Sequence, residues 1–268
     1  MNESVNRAFM YGESVFSTMR MENGKIRDWE LHFERLKKSA EYVYGPFKEG
    51  EGWKDLLRDR LEGRLEQESG EKIIRLTLYR EQEKERGLLT TRLLSLMDIK
   101  AHVDTHPFEP ERWTGKNFHL RTVVSTGRPA WWPSYLKSGS YLETILTQKR
   151  LLQPGDDDLL FLSHDETVLE ASVANIFVCR HNKLYTAPAG PNVLEGVMRK
   201  RVLEKSPGIF SDVLQKETTL KELLHADGVF GTNSIRGLFL ISKIDDHELN
   251  TSTDFLEKFV QLKRALDL

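Results

Sequence analysis

Residues Tyr135–Leu146 read YLKSGSYLETIL: a single lysine, Lys137, among small polar residues, with apolar side chains at helical spacing after it. Trp131, Trp132 and Pro133 stand just upstream. A solvated lysine needs no such neighbours, whereas a reactive amine does. Nucleophilic amine chemistry requires the neutral form, which burial or nearby positive charge favours. The two tryptophans are candidates for the burial and Arg128 for the charge. In isolation, a lone lysine before a helix is ordinarily a surface charge, so the rest of the chain decides.

The chain's 268 residues have room for one large domain or two modest ones with a substantial core. Its 39% apolar and 30% charged residues suit a folded soluble protein rather than a disordered one. A net charge of −2, with both signs interspersed, speaks against a nucleic-acid or membrane surface. The single cysteine, Cys179, excludes an internal disulfide framework and fits a reducing compartment. The first residues, MNESVNRAFMYGE, lack the basic start and apolar centre of a signal peptide. No run approaches the roughly 18 to 20 apolar residues of a membrane span. A cytoplasmic protein is expected.

Strand-like and helical segments alternate. VFSTMRMENGKIRD reads as a hairpin turning at Asn23-Gly24. LHFERLKKSAEYVYG reads as a helix stopping at Gly45-Pro46, and WKDLLRDRLEGRLEQESG as another. KIIRLTLYRE and LLSLMDIKAHV are expected strands. THPFEPERWTGK holds two prolines and little periodicity, which suggests a linker. The expected division is a small N-terminal α/β domain over residues 1–105, a linker over 106–118 and a larger domain over 119–268. In the latter, FHLRTVV, DLLFLS, TVLE, ANIFVCR, KLYTA, GVFGT and GLFLISKI read as strands. SYLETILTQKRLLQ, VMRKRVLEKS, TLKELLHA and FLEKFVQLKRAL read as helical.

Four further features carry possible chemistry. In TVLEASVANIFV, Glu170 precedes small residues that would let a flat ring approach the backbone; the plainer reading is a solvated strand-end carboxylate. In NVLEGVMRKRV, Gly196 precedes a helix whose first amides, of Val197 and Met198, could hold a phosphate. GTNSIRG is an anion-binding turn or merely a turn. Arg35, in LHFERLKKSA, could reach inward as a bidentate phosphate donor or lie on a solvated helix face. No set of residues has metal-ligand spacing.

Taken in order, YGESVFSTMR, HFERLKKSA, LKSGSYL, LEASVANIF, LYTAP with LEGVMR, and VFGTNSIRG resemble the fold-type IV pyridoxal-phosphate enzymes. That family holds branched-chain aminotransferases, D-amino acid aminotransferases and 4-amino-4-deoxychorismate lyases. The resemblance covers about Tyr11 to Ile244. It implies an α+β, two-domain fold of the D-amino acid aminotransferase type, with a β-barrel-like larger domain that carries the cofactor lysine. It also implies pyridoxal 5'-phosphate as cofactor. Lys137 falls at the Schiff-base lysine and general base, and Glu170 at the carboxylate that pairs with the pyridinium nitrogen. Arg35, the amides of Val197 and Met198, and Ser234 beside Asn233 fall at the phosphate contacts. Leu194 falls at the apolar residue against the ring, and Tyr141 where some members place a tyrosine near the cofactor.

Within the family, TNSIRG, the methionine of LEGVMR and ASVANIF lean toward the lyase, which releases 4-aminobenzoate and pyruvate. An aminotransferase acting on branched-chain or D-amino acids and 2-oxo acids is the alternative, and a non-catalytic homologue the third reading. The family's Gly-Asp-Gly-x-Phe-Glu-Thr is here GESVFST, with Ser17 in place of the acidic residue before Thr18. The family's opening strand is expected to be missing ahead of the first landmark. Thr18, Arg80, Arg86 and Arg128 are candidates for contacts to a small amine or amino acid substrate. The family also implies a homodimer, with REQEKERG a candidate loop for closing the partner's site.

Overall fold

The computed structural model describes residues 6–45, 52–65, 70–80, 98–113 and 115–268. The chain divides into two compact units: Met1–Phe108 with Tyr135–Tyr141, and Glu109–Ser134 with Leu142–Leu268. The boundary near residue 108 falls inside the expected linker. The short stretch carrying Lys137, however, groups with the first unit and not with the second.

The first unit opens with α1 (Arg7–Tyr11), capped by the Asn6 side chain and ended by Gly12 in the left-handed region. β1 (Ser14–Glu22) and β2 (Lys25–Ile26) form the expected hairpin. Asn23 and Gly24 both take positive φ, 51° and 73°, the backbone that a type I′ turn demands. After α2 (Trp29–Tyr44) and α3 (Trp53–Leu65) come β3 (Lys72–Arg80) and β4 (Ile99–Pro107). The sheet is antiparallel in the order β2-β1-β3-β4. Leu93–Met97 of the expected LLSLMDIKAHV strand lie outside the described residues. Its described end, β4, continues to Pro107, because Thr105 and His106 pair with Ile74 and Ile73.

Strand pleating puts Val15, Ser17, Met19 and Met21 on one face of β1, where all four are buried. α2 lies over that face and buries His32, Phe33, Arg35, Leu36, Ser39 and Ala40, a helical stripe that includes two titratable side chains. β2 covers only the far end of β1, so β1 keeps an open edge near its start. Lys137–Gly139 fills that edge: Phe16 N–H donates to Lys137 O at 3.0 Å and Gly139 N–H to Ser14 O at 2.9 Å. A Cβ on Gly139 would lie 2.2 Å from Ser14 Oγ, so a larger residue at the glycine of KSG would have to displace that hydroxyl.

In the second unit, α4 (Pro110–Trp113) leads to β5 (Phe118–Val124), α5 (Leu142–Leu151), β6 (Asp158–Leu162), β7 (Val168–Ala171), β8 (Asn175–Arg180) and β9 (Lys183–Thr186). α6 (Val197–Lys205), β10 (Asp212–Gln215), α7 (Leu220–Leu224), β11 (Gly228–Asn233), β12 (Gly237–Ile244), β13 (His247–Glu248) and α8 (Thr253–Ala265) follow. The sheet runs β10-β9-β8-β11-β12-β5-β6-β7, and a β7–β8 pairing at Glu170 and Asn175 closes six of its strands into a barrel. β10 and the two-residue β13 are strands that periodicity does not reveal.

All six barrel strands contribute to one apolar core, which includes Leu120, Leu160, Val168, Ile176, Val178, Val229 and Ile241. A second core forms under α6 and α8, from Phe177, Cys179, Met198, Val202, Phe230, Phe255 and Phe259. β8 and β11 feed both cores with alternate side chains. That is why ANIFVCR and GVFGT read as continuous apolar runs rather than as alternating ones.

Candidate active site

In the first unit, Lys137 follows directly from the β1 edge. Its Nζ lies 3.0 Å from Tyr141 Oη and 4.7 Å from the centre of the Phe16 ring, and Phe16 and Tyr141 pack with ring centroids 5.8 Å apart. A lysine and a tyrosine four residues apart thus converge over one aromatic floor. Arg75 lies against the same floor, its guanidinium carbon 3.6 Å from the Phe16 centroid. β3 register sets it opposite Thr18. Burial lowers the pKa of Arg75, and Tyr141 and Asp104 only partly oppose this. No carboxylate among the described residues is within ion-pair distance of it.

Beneath that floor, on the α2 face of β1, Ser17 Oγ lies 2.8 Å from His32 Nδ1 and 3.0 Å from Arg35 Nη2. Arg35 is therefore buried, 8% exposed, and not on a solvated face. Ser39 fixes the same turn of α2 by donating to Arg35 O and Tyr135 O. Burial holds His32 well below its usual pKa, and the charges of Arg35 and Lys137 push it the same way.

In the second unit, Glu170 is not the solvated strand end. Its Oε2 accepts from Leu194 N–H at 2.8 Å and from Asn175 Nδ2 at 3.2 Å. Asn175, 5% exposed, also donates to Leu194 O at 2.9 Å. The loop carrying Leu194 is therefore clamped to the barrel seam, directly ahead of α6. Gly196 is the N-cap of α6 and no side chain caps it. A Cβ there would lie 2.2 Å from Asn175 Oδ1. The first amides, Val197 and Met198, thus end a nine-residue helix with the partial positive charge of its dipole. Their side chains are buried below.

The β11–β12 turn is built on Asn233, whose Oδ1 accepts from Ile235 and Arg236 N–H at 3.0 and 2.8 Å and whose Nδ2 donates to Val173 O at 3.3 Å. The oxygen of its amide is thus used inside the turn, and the nitrogen ties the turn to Val173. Ser234, next to it, is half-buried.

The arginines proposed for substrate are placed differently. Arg80 is 4% exposed and ion-paired with Glu13, Nε to Oε1 2.5 Å, in a pair that Arg7 joins. Arg128 is exposed, its backbone N–H bonded to Asn192 and its guanidinium 5.5 Å from the Trp132 ring. Trp131, offered as a source of burial, is itself 65% exposed. Arg86, and REQEKERG beyond Arg80, lie outside the described residues.

Sequence reasoning missed His32, Arg75 and Asn175, and met Ser17 only as a departure from the family's acidic residue. Asn175 carried a signal, a lone amide opening an all-apolar strand. The His-x-x-Arg spacing of LHFER, on the stripe that α2 buries, was the signal for His32.

The chain belongs to the class IV aminotransferase family, whose model matches residues 14–244. It is 26% identical over 251 residues to an aminodeoxychorismate lyase of Vibrio harveyi, covering 91% of this chain and 87% of that protein. It is 22% identical to a D-alanine aminotransferase of Bacillus licheniformis, covering 92% and 84%. A hypothetical aminotransferase of Mycobacterium tuberculosis, in PLP-bound form, superposes with a TM-score of 0.79 at 19% identity, covering 99% of this chain and 92% of that one. The fold-type IV expectation is borne out, and the protein is a pyridoxal-phosphate enzyme. The residues present fit that cofactor. In the first unit the buried Arg35 is chemically suited to a phosphate and Lys137 carries an amine; in the second the uncapped α6 terminus is suited to a phosphate and Glu170 to a ring cation. Among the described residues no helix is long and apolar enough to cross a membrane, and no group of side chains could hold a metal ion.

Proposed function

We propose that this enzyme is a 4-amino-4-deoxychorismate lyase, forming 4-aminobenzoate and pyruvate. The observation that carries the reading is the Asn233-centred turn of TNSIRG, a motif that leans toward the lyase branch of the family. The Vibrio harveyi relative supports it across nine-tenths of the chain.

Pyridoxal phosphate supplies an electron sink for charge developing on the amine-bearing carbon. The chain's residues do the rest. With the cofactor bound, Arg35 and the amides of Val197 and Met198 would hold the phosphate, Glu170 would keep the ring nitrogen protonated, and Leu194 would line the ring. Lys137 Nζ removes the proton from the ring carbon that bears the amine, with Tyr141 Oη steadying it at 3.0 Å. The neighbouring carbon–oxygen bond then breaks, its electrons leaving with the enolpyruvyl oxygen. The six-membered ring becomes aromatic, and the proton held at Nζ is available for the methylene carbon of the departing group, giving pyruvate. Arg75, on the Phe16 floor with no carboxylate partner among the described residues, and Thr18 opposite it take the substrate's carboxylate side.

The test is turnover. Purified protein with pyridoxal phosphate and aminodeoxychorismate should release 4-aminobenzoate, read by fluorescence, and equimolar pyruvate, read by a coupled reduction. The second reading, an aminotransferase, is favoured by the Bacillus licheniformis relative. It requires amino-group exchange between an amino acid and a 2-oxo acid, with no pyruvate from aminodeoxychorismate. Failure of both reactions would leave the non-catalytic reading. A homodimer in the cytoplasm completes the proposal, supported by the exposed Leu142, Ile145 and Leu146 on α5 and by the single, buried thiol of Cys179.

A further inference from the structure

We infer that Ser17 and His32 are positioning residues for Arg35, forming a relay in which the Ser17 hydroxyl accepts from the guanidinium and donates to the imidazole. The argument is one of donors and acceptors. Ser17 is fully buried, and its Oγ touches two polar groups, Arg35 Nη2 at 3.0 Å and His32 Nδ1 at 2.8 Å. A guanidinium has only donors, so Ser17 accepts from it. Among the described residues the hydroxyl hydrogen then has a single acceptor in reach, Nδ1 of His32. This fixes the tautomer, with Nδ1 bare and the proton on Nε2.

The environment enforces that state. His32 is 2% exposed on the stripe that α2 buries, with Arg35 one turn along and the Lys137 charge also acting on it. A bare Nδ1 beside two cations is favoured over a third charge. The guanidinium is thereby tied to β1 through a side chain that cannot rotate without losing both of its hydrogen bonds. Ser39, donating to Arg35 O, ties down the backbone at the same residue. A planar, fork-shaped donor discriminates among anions only when its plane is fixed, and Ser17–His32 is the device that fixes it. Ser17 is also where GESVFST departs from the family's acidic residue, so here the support is a neutral hydroxyl–imidazole pair.

The inference rests on the reading of Arg35 as the phosphate-binding arginine, and its test separates the two. The full-length protein is stripped of cofactor and titrated with pyridoxal phosphate and with pyridoxal, which lacks the phosphate. The quantity followed is the ratio of the two affinities, for wild type, Arg35→Gln, Ser17→Ala, His32→Leu and His32→Asn. Asparagine can present an acceptor where Nδ1 stands. Ser17→Ala and His32→Leu should each lower the ratio about tenfold, the loss of one buried hydrogen bond to a charged group, with pyridoxal affinity unchanged. His32→Asn should restore it. An unchanged ratio in Arg35→Gln would sink the phosphate reading, and this inference with it. A lowered ratio in Arg35→Gln alone would overturn the relay and leave the phosphate reading standing. Equal loss of both affinities in Ser17→Ala and His32→Leu, tracking a fall in Tm, would reduce the pair to packing and overturn the relay as well.

Discussion

Replacing Lys137 by alanine removes the amine above Phe16 while leaving the backbone hydrogen bonds of Lys137–Gly139 to β1 intact. The expected outcome is a turnover loss on the order of 10³-fold, the scale of a lost general base, with Tm nearly unchanged; steady-state rates and a melting curve check both. Glu170→Gln keeps an oxygen for Leu194 N–H but drops the charge. Turnover should fall on the order of 10²-fold while the far-UV spectrum stays native. His32 provides a pH signature. Its folded-state pKa lies below the unfolded value near 6.5, so the unfolded chain takes up the proton first. Stability from the neutral imidazole is present above about pH 6.5 and is lost as pH falls below it, at up to about 1.4 kcal/mol per pH unit. His32→Asn should flatten the Tm profile below about pH 6.5, where Arg35 and Lys137 are the charged groups acting on it.

At the scale of elements, the α6 terminus depends on one missing methyl group. Gly196→Ala would drive a Cβ into Asn175 Oδ1, 2.2 Å away, and displace the side chain that clamps Leu194 and Glu170. Cofactor affinity should fall about tenfold or more as these contacts are lost, measured by titration, with a drop in Tm from the strained seam. α7 offers a control away from the site. Thr219 and Glu222 form a reciprocal capping box there, so Thr219→Ala should cost about 1 kcal/mol in denaturant unfolding without changing cofactor affinity.

For the whole molecule, the proposed dimer predicts a solution mass of twice the 31.0 kDa chain, measurable by light scattering. The double variant Leu142→Asp, Leu146→Asp should shift that mass toward one chain if α5 forms the contact. Much of this protein was legible in order along the chain. The Asn-Gly hairpin, the stop at Gly45 and the apolar strands of the barrel follow from local backbone preference and periodicity, and the proposed site residues Glu170, Lys137 and Arg35 from a family resemblance. Local sequence carries these because turn conformation, side-chain alternation and residue chemistry act over a few positions. Folding alone decided the rest. Arg80, one of three arginines offered for the substrate, is buried against Glu13, 67 residues away; Arg75 holds the place on the Phe16 floor because β3 register sets it there. The Lys137 strand joins β1 across more than a hundred residues, and Asn175 meets Leu194 only because β7 and β8 close a barrel. Such pairings depend on which strand edges and buried polar groups remain to be satisfied once the cores have formed, and no local pattern records that.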